Sequence, residues 1–208
     1  MPPRASLAPS LLSLLALVIA PAALAQQGGE PARELPALQL VDEMRAGGRV
    51  LFLRHAATDF TENDSRMAGF EDCAHQRNLV DKGRDDARKI GIAIRALGIP
   101  IGRVMASPYC RTVETAELAF GRAEKMNEAR YATGEGAERY ADLRKQLGTR
   151  PAKGNSVIVG HGTPFYALTG VRLVEGEVAV IEPLDGRFEI LGRIKPDAWG
   201  ALRNAARR

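Results

Sequence analysis

Two short apolar runs, Val50-Leu51-Phe52-Leu53 and Ser156-Val157-Ile158-Val159, constrain the fold of this chain more than any other feature. A strand with one wet face alternates apolar and polar residues. A continuous β-rich run is instead the pattern of a strand buried in a parallel sheet, with helices covering both faces. The segments between the runs read as helices. Asp81 to Leu97 places Ala87, Ile90, Ile94 and Leu97 at three- and four-residue spacing, and Gly98 and Pro100 end it. Arg103 to Ala106 is a second short strand, and Arg111 to Phe120 a helix stopped by Gly121. Glu135 to Leu147 is predicted as a third helix, closed by Gly148. Val178 to Ile181 and Phe188 to Ile194 are two further strands, joined through Pro183-Leu184-Asp185-Gly186, where Asp-Gly signals a hairpin. The expected fold is a three-layer α/β/α sandwich with a mostly parallel central sheet.

The chain begins with a different kind of segment. Arg4, the ten-residue apolar stretch Leu11 to Ala20, Pro21 and then Ala23-Leu24-Ala25 form the pattern of a secretory signal peptide cleaved after Ala25. The apolar stretch is far shorter than the roughly 20 residues that span a bilayer, and no stable membrane anchor is expected after cleavage. Residues 1–25 are therefore read as the signal, 26–40 as a flexible Gly/Pro-rich leader, and 41–208 as a single domain. The expected location is across the inner membrane, in the periplasm. Without Arg4 the chain has 28 Lys+Arg against 25 Asp+Glu, a net charge of +3. That suits a small anionic substrate. The arginines are scattered, so the chain lacks the clustered basic face of a nucleic-acid binder. Cys73 and Cys110, an even pair in an exported chain, suggest a disulfide, although spacing alone does not establish the bond.

In open α/β sheets ligands bind beyond the carboxyl ends of the strands. Arg54-His55 follows the first strand. Ser107-Pro108-Tyr109-Cys110-Arg111-Thr112 follows the second, so that Arg111 opens a helix, and Gly160-His161-Gly162-Thr163 follows the Ser156–Val159 strand. Two of the chain's three histidines thus stand at matching strand ends, with two arginines beside them. The third, His75, reads as an exposed loop residue. Guanidinium forks match phosphate oxygens, and a helix N-terminus adds backbone donors. A histidine among guanidiniums is held neutral and nucleophilic. Metal binding by the two histidines is disfavoured, because the arginines repel a cation.

These stretches resemble the histidine phosphatase superfamily, also called the phosphoglycerate mutase-like family. Arg54-His55-Ala56-Ala57-Thr58 is similar to its R-H-G-x-T stretch, and Ser107 to Ala116 to its S-P-x-x-R-T-x-x-T-A stretch. Gly160-His161-Gly162 matches G-H-G, and Asn78 to Gly83 resembles L-T-x-x-G at the start of the first helix. The resemblance covers residues 49 to about 195. Gly162 after the second histidine, in place of an aspartate, points to branch 1.

The resemblance implies a phosphoglycerate mutase-like fold and a phosphohistidine intermediate on His55. Arg54, Arg111 and His161 would grip the phosphoryl oxygens, with Thr58 and Thr61 as further binding residues and no metal or other cofactor. Ala56 stands where glycine is usual, and Thr61 where many members place asparagine. The proton for the leaving alcohol is expected from Glu128, in a Met126-to-Tyr131 stretch like the family's L-N-E-x-x-Y, with Glu135, Glu138 and Asp59 as alternatives. A Cys73–Cys110 bond would pin the substrate-side loop beside Arg111. The function expected is hydrolysis of a small extracytoplasmic phosphate ester, phosphosugars included. A mutase using the same intermediate and a catalytically weak phosphate-binding protein are the rival readings.

Overall fold

The structure is a computed structural model in which residues 34–134 and 136–205 are described. The expected signal at 1–25, residues 26–33 of the leader, and Glu135 lie outside them. The described residues fall within one compact unit, 32–208.

Six strands form one sheet: β1 (Val50–Arg54), β2 (Ile101–Ala106), β3 (Glu124–Lys125), β4 (Asn155–Gly160), β5 (Val178–Leu184) and β6 (Arg187–Ile194). Their order is β3-β2-β4-β1-β5-β6. The first four run parallel, and β5 and β6 close one edge as an antiparallel hairpin. The hairpin turns at Asp185-Gly186, both with positive φ (48° and 91°), as the Asp-Gly pair predicts.

The unbroken apolar runs are explained by burial on both faces. Along β1, Leu51 and Leu53 join one core cluster while Val50 and Phe52 join the other. In β4, Val157 and Val159 face the first cluster and Ile158 the second. Helices α1 (Ala37–Ala46), α2 (Asp81–Ala96), α3 (Cys110–Phe120) and α6 (Trp199–Ala205) contribute to the first cluster. Helices α4 (Ala141–Leu147) and α5 (Gly162–Thr169) contribute to the second. Each fully buried Val, Leu or Phe stabilises the fold by about 1.5–3 kcal/mol. The expected three-layer sandwich is what the chain forms.

Two expectations need correction. The leader does not extend to residue 40, because α1 begins at Ala37 and buries Leu40, Val41 and Met44, while Leu35 N–H donates to Leu191 O (2.7 Å). The helix expected over 135–147 is a 3-10 turn at Ala137–Tyr140 followed by α4. Tyr140 leaves the helical region (φ −112°, ψ 23°) as its ring enters the core. The short helices α5 and α6 have no counterpart among the predicted elements.

One close approach ties the sheet to the helix layer. A Cβ added to Gly83 in the first turn of α2 would stand 2.1 Å from Ala57 O. The L-T-x-x-G resemblance thus marks a place where a helix touches the loop after β1 backbone to backbone. Gly83→Ala is expected to destabilise the fold by about 1–3 kcal/mol, the usual cost of overpacking, and to displace the His55 loop. Thermal unfolding of the variant checks this, and an unchanged midpoint would contradict it.

Candidate active site

The parallel register places two histidines side by side. Arg54 of β1 pairs with Gly160 of β4, and His55 N–H donates to Gly160 O (3.0 Å). His55 and His161 therefore leave adjacent strands at the same level, with ring centroids 5.5 Å apart. Both are buried, at 1% and 0% exposure.

Each ring is fixed by a hydrogen bond on one nitrogen. His55 Nδ1–H donates to Ala56 O (3.0 Å), which leaves Nε2 as the lone-pair nitrogen. His161 Nε2 lies 2.8 Å from Ser107 Oγ, at the end of β2. With the hydroxyl donating, His161 carries its proton on Nδ1. His55 Nε2 and His161 Nδ1 are buried and without a hydrogen-bond partner among the described residues. Tyr131 stacks on His161 at 4.4 Å, and Tyr109 meets its edge at 4.9 Å.

The second motif works through its hydroxyls. Thr112 Oγ1 donates to Ser107 O and Tyr109 O (both 2.7 Å), shaping the turn into α3. Thr115 Oγ1 accepts from Ala56 N (3.1 Å), so α3 holds the backbone next to His55. Ala56 is not among the described residues with positive φ, and alanine therefore fits where glycine is usual.

Around the histidines stand three guanidiniums. Arg54 Nη1 donates to Leu173 O (2.7 Å) and Nη2 to Glu175 Oε1 (3.4 Å). Arg111 is 1% exposed and clasps Asp64 with both nitrogens, Nη1 to Oδ1 at 2.9 Å and Nη2 to Oδ2 at 3.0 Å. Arg77, which the motifs do not single out, places Nη2 3.9 Å from Glu175 Oε1.

Glu175 is the second residue that sequence reasoning missed. It accepts from Thr58 N (3.0 Å) and Thr58 Oγ1 (2.8 Å), and its Oε1 lies 3.9 Å from His55 Nδ1. It sits in a loop without periodicity, and only its partner Thr58 belongs to a motif. Residues 174–177 strap the end of β1, with Gly176 N–H shared between Arg54 O and His55 O.

Arg54, His55, Arg111 and His161 thus meet as expected, whereas other expected residues do not join them. Thr58 is turned to Glu175, so its hydroxyl is already engaged. Thr61 is exposed, and its hydroxyl donates to Asp59 Oδ1 (2.7 Å). Glu128 is exposed on a 3-10 turn and has no side-chain hydrogen bond to the cluster; its stretch contributes Tyr131 instead. Glu138 pairs with Arg144 (3.1 Å). Cys73 and Cys110 are disulfide-bonded, pinning the loop over 59–77 to the first turn of α3. His75 is exposed, as expected, and ends a 3-10 turn (Cys73–His75), with Nδ1 2.9 Å from Asp72 Oδ1.

Burial is the main reason the imidazoles are neutral, ahead of the guanidiniums. It pushes His55 from 6.5 down to about 3, and Arg111, Arg54 and Arg77 push the same way. His161 is likewise held well below its ordinary value, first by burial and then by His55 and the arginines. Below pH 6.5 the unfolded chain binds protons that the folded one refuses, so stability falls as pH falls towards 3. Each histidine contributes a slope of up to about 1.4 kcal/mol per pH unit. The thermal midpoint is therefore expected to drop between pH 6.5 and 5, and to drop less with inorganic phosphate present. A midpoint independent of pH across that window would contradict this.

Comparison with known proteins agrees with this geometry. Residues 50–132 match the family model of the histidine phosphatase superfamily (branch 1). None of the curated proteins matches the chain. Among solved structures, the protein histidine phosphatase SixA complexed with tungstate is similar at 17% identity and a TM-score of 0.51, over 72% of this chain and 97% of that one. A phosphoserine phosphatase mutant from Entamoeba histolytica in complex with phosphoserine is similar at 12% identity and 0.52, over 71% and 97%. A candidate alpha-ribazole-5'-P phosphatase from Escherichia coli reaches 0.54 at 12% identity, over 68% and 94%. At such identities these likenesses carry the fold, and the matched stretch carries the motifs through Arg54-His55 and Arg111. Over residues 50–132 the chain carries the sequence pattern of the histidine phosphatase superfamily, branch 1.

Proposed function

We propose that the protein is a phosphomonoesterase that transfers the phosphoryl group of a small ester to His55 and then to water. The observation that carries this reading is the pair of buried, unpartnered imidazole nitrogens, His55 Nε2 and His161 Nδ1, ringed by Arg54, Arg77 and Arg111. A neutral imidazole with Nδ1–H anchored on Ala56 O presents a lone pair on Nε2, as an attacking nucleophile requires. Phosphoryl transfer asks chiefly for positioning and for neutralisation of charge on the equatorial oxygens. Arg54 and Arg111 supply fixed positive charge, and His161 Nδ1–H supplies a donor.

A cleft of about 410 Å³ beside Arg54, lined by Tyr131, Thr163, Tyr166, Arg172 and Leu173, offers room for the alcohol part of the ester. Its mixed aromatic and cationic lining suits a hydrophilic, anionic molecule such as a phosphosugar. The amino-terminal signal pattern and the Cys73–Cys110 bond support an extracytoplasmic setting, where disulfides persist. That setting favours hydrolysis over a mutase acting on central metabolites.

The purified chain, assayed with p-nitrophenyl phosphate between pH 4 and 8, is expected to turn over. His55→Ala is expected to lose at least about 10³-fold in kcat, as nucleophile deletions do. Phosphate binding without turnover in the wild type would instead indicate a binding protein.

A further inference from the structure

The cluster has a nucleophile and an anion clamp but no assigned proton donor for the leaving alcohol. Among the described residues, the carboxylates expected to serve are committed or exposed, and Glu135 lies outside those residues. Asp59 takes both Thr61 N and Thr61 Oγ1, Glu138 is paired with Arg144, and Glu128 is exposed, with no side-chain hydrogen bond to the cluster. Glu175 is bound to Thr58 and Arg54 on the Nδ1 side of His55, away from the attacking nitrogen.

Asp64 is placed differently. Its two oxygens fill the fork of Arg111, the position that two phosphoryl oxygens would take. A phosphoryl group that takes both Nη atoms of Arg111 displaces this carboxylate, and the unpartnered Nε of Arg111 gives it a first hold. Charge favours the exchange. With Asp64 off the fork, three guanidiniums and the Glu175 carboxylate leave a net +2, the complement of a phosphate dianion. The displaced carboxylate has little freedom to leave. On one side Glu62 Oε2 accepts from Asn78 N (2.8 Å), and on the other the loop is closed by Ala68 N to Asp72 Oδ2 (3.0 Å) and by the Cys73–Cys110 bond. Asp64 itself accepts from Arg77 N (2.9 Å).

We infer that Asp64 is the proton donor of the reaction, resting on Arg111 until substrate takes its place. This rests on the phosphatase reading above. The ester binds as its monoanion, and as its phosphoryl oxygens take the Arg111 fork their proton passes to the Asp64 carboxylate. His55 Nε2 then forms the N–P bond. The P–O bond to the alcohol breaks, its electron pair stays on the leaving oxygen, and that oxygen takes the proton from Asp64. In the second half, Asp64 accepts a proton from the attacking water as the new P–O bond forms and the N–P electron pair returns to Nε2. The proton goes back to phosphate when the carboxylate reclaims Arg111, so ester and water give alcohol and phosphate monoanion.

Leaving-group dependence tests this. Asp64→Asn keeps the shape and one acceptor, and Asp64→Glu keeps the carboxylate; circular dichroism confirms that both are folded. The esters are glycerol phosphate, whose alkoxide needs a proton, and 2,4-dinitrophenyl phosphate, whose phenolate does not. Asp64→Asn is expected to lose about 10²–10⁴-fold in kcat on glycerol phosphate and to stay within about tenfold of wild type on dinitrophenyl phosphate, with Asp64→Glu recovering part of the loss. Equal losses on both esters would show a structural role and overturn the proposal. So would unchanged or faster turnover of glycerol phosphate, the result expected of a carboxylate that only blocks the clamp. A wild type without His55-dependent turnover of either ester sinks the phosphatase reading itself, and the proposal with it.

Discussion

The molecule turns on a single piece of backbone pairing, the parallel register of β1 and β4 that ends with His55 N–H on Gly160 O. His55 and His161 are 106 positions apart in the chain. They meet only because two fully buried strands stop at the same level. A slip of one residue along either strand would turn its apolar side chains to the opposite core. It would also carry its histidine to the wrong side of the sheet. The hydrophobic pattern that stabilises the sandwich therefore also sets the distance between the two imidazoles. Neighbouring elements lean on the same point: Ser107 at the end of β2 holds His161, Thr115 of α3 holds the backbone at Ala56, and Gly176 straps β1.

Burial then decides the chemistry. An imidazole exposed to water titrates near neutrality and is half lost as a nucleophile in mild acid. In this fold desolvation holds both rings neutral, and the guanidiniums reinforce the effect. The same burial would make two isolated arginine charges costly. Glu175 and Asp64 offset them, and the two carboxylates differ in kind. Glu175 is tied to Thr58 by two hydrogen bonds and stays put. Asp64 comes from the loop over the site and holds both Nη atoms of Arg111.

Much of the architecture could be read from the chain because its central strands are buried on both faces and leave unbroken apolar runs. The hairpin was legible for a local reason, the positive φ that Asp185-Gly186 accommodates. What escaped had weak local signals. Helix α1 carries Leu40, Val41 and Met44 at helical spacing, but the Gly/Pro-rich stretch before it masks that pattern. Helix α5 is only eight residues long and opens directly on the Gly-His-Gly stretch. At the site, the four motif residues were legible because they stand at strand ends. Arg77, Glu175 and Asp64 were not, since loop residues are brought in by tertiary contacts that no periodicity announces. The Met126–Tyr131 stretch shows the limit of matching by pattern, as its contact with the site runs through Tyr131 on His161, while Glu128 stays outside.

In the proposed reaction His55 Nε2 carries the phosphoryl group between substrate and water. Rapid acid-free quenching of the enzyme during turnover, followed by peptide mass spectrometry under alkaline conditions, examines that directly. One phosphoryl group is expected on the peptide containing His55, stable to alkali, lost on acidification, and missing in His55→Ala. Turnover with no phosphorylated peptide, or with the phosphoryl group on His161 or another residue, would contradict it.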